Sequence, residues 1–110
     1  MNINSNKIGG VNMIRERWLV DKKYKDLSIE ILQENLSALR AKAGLNQEEI
    51  ADILGISRQT YYAIETQKKK MSWGTFMSLA FFYHEINNTS RMLYELKVYP
   101  IDLFKRFNEE

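Results

Sequence analysis

Asn46-Gln47-Glu48-Glu49-Ile50-Ala51-Asp52-Ile53-Leu54-Gly55-Ile56-Ser57-Arg58-Gln59-Thr60-Tyr61-Tyr62-Ala63-Ile64-Glu65 is the stretch that decides the fold of this chain. Asn46, with Glu49 three residues later, is a reciprocal capping pair that starts a helix. Gly55 supplies the left-handed residue that stops it and turns the chain. Ser57 then caps a second helix. Ala51 is small enough to let the two helices approach, and Ile50, Leu54, Ile56, Tyr61 and Ile64 fall where they lock the second helix against the first. The stretch therefore predicts two short helices held at a fixed angle by a tight turn. A helix presented in this way fits the major groove of DNA.

With these residues in view, the segment from about residue 36 to 83 resembles the Cro/repressor-type helix-turn-helix family, also called the XRE family, of bacterial and phage regulators. The resemblance is carried by Leu39-Arg40, by Gly44-Leu45-Asn46-Gln47-Glu48-Glu49-Ile50-Ala51, by Leu54-Gly55-Ile56-Ser57-Arg58-Gln59-Thr60, and by Glu65 ahead of a basic stretch. It covers under half of the chain. What it implies is an all-α fold, a compact lambda-repressor-like helix-turn-helix bundle of about five to six helices. The implied function is a sequence-specific transcriptional regulator of double-stranded DNA, a repressor acting as a homodimer on an inverted repeat. Two positions depart from the family pattern. Tyr61 stands where a branched aliphatic is usual, and its ring is expected to pack with the hydroxyl near the surface. Gln67 stands where a glycine normally closes the second helix of the pair.

On a helix beginning after Ser57, Arg58, Gln59 and Tyr62 share one face and Tyr61 and Ile64 the other. Arginine presents a rigid fork matching the two acceptors of guanine, and glutamine a donor and an acceptor matching adenine, each pairing discriminating by about 1–3 kcal/mol. By resemblance, Arg58 and Gln59 occupy the family's base-reading positions and Tyr62 the place of a third contact. Gln47 opens the first helix of the pair, where the resemblance implies phosphate binding and the helix terminus favours an anion. Ser57, Thr60, Lys68, Lys69 and Lys70 complete the expected phosphate contacts. Plainer readings stand beside these. Ser57 serves as a cap in any case, and a lysine run in most proteins is a solvated loop.

At 110 residues, 45% hydrophobic, with one proline and a net charge of +2, the chain fits one helix-rich globular unit rather than a two-domain enzyme. The mild charge leaves the placement of the cations, not their sum, to signal a nucleic-acid partner. The absence of cysteine excludes disulfides and thiolate zinc sites and agrees with a cytoplasmic location. No apolar run approaches the roughly 20 residues needed to span a bilayer, so no membrane role is expected. His84 is the only histidine and is expected to be a helix-end residue rather than a metal ligand. Without a nucleophile and base pair, a phosphate-binding glycine loop or a metal cluster, an enzyme is not expected, and no cofactor is implied.

Working outward, residues 1–27 read as a flexible or loosely packed N-terminal arm, of which 1–12 resemble a mobile arm or a cloning remnant, with Met13 a possible start. Residues 28–86 form the expected helix-turn-helix domain. Its first helix runs from a cap at Ser28 to a stop at Gly44, and its fourth from a cap at Ser72 to near His84 or Glu85. Residues 87–110 form the expected C-terminal helical extension, packing on the domain or on a dimer partner. There Asn87-Asn88-Thr89 reads as a loop and cap, Met92, Leu93 and Leu96 mark a fifth helix, and Pro100 starts a short sixth carrying Ile101, Leu103, Phe104 and Phe107. The run Phe81-Phe82-Tyr83 cannot point wholly inward on one helix. The alternative to a regulator is a protein-interaction module, an antitoxin or anti-regulator binding a protein partner through this C-terminal region.

Overall fold

Local caps set most of the helix boundaries. The structure is a computed structural model that describes residues 19–101, and among these it contains six helices and no strand. They are α1 (Lys22–Glu34), α2 (Leu36–Ala43), α3 (Gln47–Leu54), α4 (Arg58–Glu65), α5 (Trp73–Glu85) and α6 (Asn87–Leu96). The Asp21 carboxylate accepts from the Tyr24 amide (3.0 Å), and Ser57 and Ser72 accept from Thr60 and Thr75 (3.0 and 3.1 Å). Asn46 and Glu49 form the reciprocal box at 2.8 and 2.9 Å. Each cap fills one of the orphan donors of a first turn. Gly44 and Gly55, at φ 74° and 75°, end α2 and α3 in the left-handed conformation that glycine adopts without strain.

Three boundaries differ from the sequence reading. The single helix expected from Ser28 to Gly44 is two helices, beginning at Lys22 and broken at Asn35. The Asn35 side chain turns back to donate to the Ile31 carbonyl (2.8 Å), a local bond that competes with helix continuation. Ser28 is not a cap. It lies buried within α1, and its hydroxyl accepts from the Tyr99 amide (3.3 Å). Asn87-Asn88-Thr89 is not a loop but the first turn of α6, separated from α5 only by Ile86. The Thr89 hydroxyl donates to the Tyr83 carbonyl (2.7 Å), satisfying an acceptor at the end of α5. The expectations for residues 1–18, and for a sixth helix carrying Leu103, Phe104 and Phe107, fall outside the described residues.

α5 is the central helix, packed against α1, α3 and α6, while α6 also covers α2. Leu32, Leu36, Leu39, Ile50, Tyr61, Phe76, Leu79, Tyr83, Leu93, Val98 and Ile101 are wholly buried in one core. Each aliphatic side chain so removed from water contributes about 1.5–3 kcal/mol. Helical periodicity splits the aromatic run as expected, with Tyr83 buried and Phe81 60% exposed. Val98 and Ile101 close the core beyond α6, so the last described residues seal the bundle that α3 and α4 stand on.

Candidate nucleic-acid interface

Gly55 lets α3 and α4 meet at a short corner, where the Ile56 amide donates to the Ala51 carbonyl (3.0 Å) and the Gly55 amide to that of Asp52 (3.1 Å). Tyr61 and Ile64 are buried on the inner side of α4, against a core that includes Ile50 and Ala51 of α3. Arg58 and Gln59 are exposed on the outer side, as is Tyr62 at 47%. The N-termini of α3 and α4 open onto one depression of about 570 Å³ lined by Arg40, Asn46, Gln47, Glu48 and Arg58. Two helix termini with their unsatisfied amides, together with Arg58, make this depression suited to an anion.

Beneath it lies an ion-pair network. Arg40 at the end of α2 reaches Glu65 at the end of α4 with two parallel bonds, Nε to Oε1 at 2.8 Å and Nη2 to Oε2 at 3.0 Å, and its Nη1 donates to the Leu45 carbonyl. Tyr61 Oη donates to Glu65 Oε1 (2.8 Å) and Gln47 Nε2 to Glu65 Oε2 (3.1 Å). Burial opposes ionisation of the Glu65 carboxyl, but the bonds from Arg40, Tyr61 and Gln47 outweigh it and hold the group below the usual carboxylate range. Burial, and then the bond to Glu65, pushes the Tyr61 phenol above its ordinary value. The Tyr61 hydroxyl is thus not near the surface, as the sequence reading has it; it is an inward-facing donor that braces, from within α4, the carboxylate to which Arg40 of α2 and Gln47 of α3 also bond.

Of the expected phosphate contacts, Ser57 and Thr60 stand together at the start of α4, Ser57 Oγ donating to Thr60 Oγ1 (2.9 Å). Gln47 faces the same depression as Arg58 with one amide hydrogen committed to Glu65. Lys68, Lys69 and Lys70 are exposed in the loop between α4 and α5, where Lys68 Nζ sits 5.7 Å over the Tyr62 ring. Lys70 leans the other way, to Asp26 of α1 (3.0 Å). Gln67 closes α4 in the left-handed conformation, φ 64°, that a glycine would take. The Lys68 and Lys69 amides both reach back to the Ala63 carbonyl at 2.9 and 3.1 Å, anchoring that turn. Arg40 and Glu65 carried the resemblance by position, but nothing in the sequence paired them, because 25 residues separate the partners.

A bundle with two capped helices joined at a glycine corner and a polar outer face on the second defines a helix-turn-helix DNA-binding protein. Residues 36–72 match the family model described as helix-turn-helix. That segment is similar to the Cro/repressor-type helix-turn-helix family of DNA-binding transcription regulators. No curated protein and no solved structure matches the chain. No described helix is long and apolar enough to cross a membrane.

Proposed function

We propose that this protein is a cytoplasmic, sequence-specific repressor that binds an inverted repeat as a homodimer, one α4 in each major-groove half-site. In this reading Arg58, Gln59 and Tyr62 contact bases, while Gln47, Ser57, Thr60, Lys68, Lys69 and Lys70 contact phosphates and set register. The observation that carries it is the sidedness of α4: Arg58, Gln59 and Tyr62 exposed, Tyr61 and Ile64 buried. Residues 28–86 would serve as the DNA-binding unit and 87–110 as its extension. The alternative, a partner-binding C-terminal module, has less to recommend it, since Leu93, Val98 and Ile101 are spent on the chain's own core.

Selection of bound duplexes from a random pool tests the reading, performed with wild type, Arg58→Ala and Gln59→Ala. An enriched palindromic sequence is expected, with preference relaxed by about 1–3 kcal/mol at one base position per variant. No enrichment by wild type would dismiss sequence-specific recognition, and an enriched site without dyad symmetry would dismiss the dimer.

A further inference from the structure

Gln33, in the last turn of α1, lies outside the family-matched segment and is buried. Its side chain is wholly used. Nε2 donates to the Ile64 carbonyl at the end of α4 (2.8 Å) and to the Lys69 carbonyl (2.7 Å), while Oε1 accepts from the Met71 amide (3.3 Å). An amide has two hydrogens and one carbonyl oxygen to offer, and here one side chain spends all of them on the segment that carries Lys68, Lys69 and Lys70. Met71 is itself buried. The loop is therefore gripped from within at both ends while its lysines point outward.

We infer that Gln33 is a positioning residue for the DNA-facing lysine loop, so that α1 is part of the binding unit although no residue of α1 faces the duplex. This rests on the reading of the lysines as phosphate contacts. The Asp26–Lys70 pair joins the same two elements, but both side chains are substantially exposed, and exposed pairs hold little. The buried amide is the stronger tie, because two of its partners, the Ile64 carbonyl and the Met71 amide, would be left buried and unpaired. Losing it frees Lys68 and Lys69 to sample positions away from phosphate without touching Arg58 or Gln59.

The test compares wild type, Gln33→Met and Lys69→Ala as full chains, each binding two duplexes, one enriched from the pool and one of scrambled sequence, across a salt series. Gln33→Met keeps length and removes all three bonds. Helix content and melting are followed by circular dichroism. The expected result for Gln33→Met is a severalfold loss of affinity, equal for both duplexes, with the slope of log affinity against log salt reduced by about one unit per displaced lysine. A slope that responds to Lys69→Ala but not to Gln33→Met overturns the inference alone. A slope indifferent to Lys69→Ala removes the loop from the interface and with it the reading underneath. Should Gln33→Met fail to fold, Gln33→Glu retains the Met71 acceptor while losing both donors, and its slope must fall likewise. Hydrogen exchange on wild type adds a readout free of substitution: the Met71 amide should be protected like the core, and exchange at the rate of an open loop would overturn the clamp.

Discussion

Two tyrosines on neighbouring helices are equally buried, yet their hydroxyls have opposite value. Tyr61 Oη donates to an ionised carboxylate, whereas Tyr83 Oη is enclosed with no hydrogen-bond partner among the described residues. A bond to a charged group is worth about 1.5–3 kcal/mol, and an unsatisfied buried hydroxyl costs about 1–3 kcal/mol. Tyr61→Phe should therefore destabilise by about 2 kcal/mol, while Tyr83→Phe should be neutral or stabilise by about 1 kcal/mol. Urea denaturation of the two variants decides it, and equal destabilisation would refute the assignment. This contrast was not legible in sequence. Tyr61 was marked by its departure from an aliphatic pattern, and its partner Glu65 lies one turn on in the same helix, but the charge on that carboxylate is held by Arg40, 25 residues away, a non-local fact. Arg58, Gln59 and Tyr62 were placed on the outer face by spacing alone, because 3.6-residue periodicity is local.

Helix ends show the same division. The caps at Asn46, Ser57 and Ser72 and the glycine stops at 44 and 55 were readable because each is made between residues a few positions apart. Ser28 and Thr89 misled for a physical reason: a hydroxyl suited to capping also satisfies a distant amide or a neighbouring helix's carbonyl, and both residues are buried doing so. Gln67 is the informative departure. A left-handed glutamine is strained by about 1–2 kcal/mol, partly offset in comparisons with glycine by the latter's greater freedom when unfolded. Gln67→Gly should stabilise by about 0.5–1 kcal/mol and raise the melting temperature by a few degrees, while Gly55→Ala, at φ 75°, should lower it. Calorimetry reads both. A lower melting temperature for Gln67→Gly would mean that the glutamine side chain contributes more than its backbone strain removes.

At the scale of the molecule, Glu65 gathers α2, α3 and α4 onto one carboxylate, so its titration is a test of the assembled fold. Its folded value lies below the ordinary 4.5. The contribution to stability is therefore present above the ordinary value and is lost as pH falls through the depressed one. Glu65→Gln should be less stable than wild type at neutral pH, and the gap should narrow on acidification below about pH 4.5, as followed by urea midpoints. A gap independent of pH would separate the network from charge. The bond between Ser28 and the Tyr99 amide reaches across the same molecule, spanning 71 positions of chain. A ribosome adding about 5–20 residues per second leaves the serine waiting several seconds for its mate. Until then the Ser28 hydroxyl lacks the amide it receives in the folded chain and the core lacks Val98 and Ile101, so the packing described above is complete only once that segment has been made.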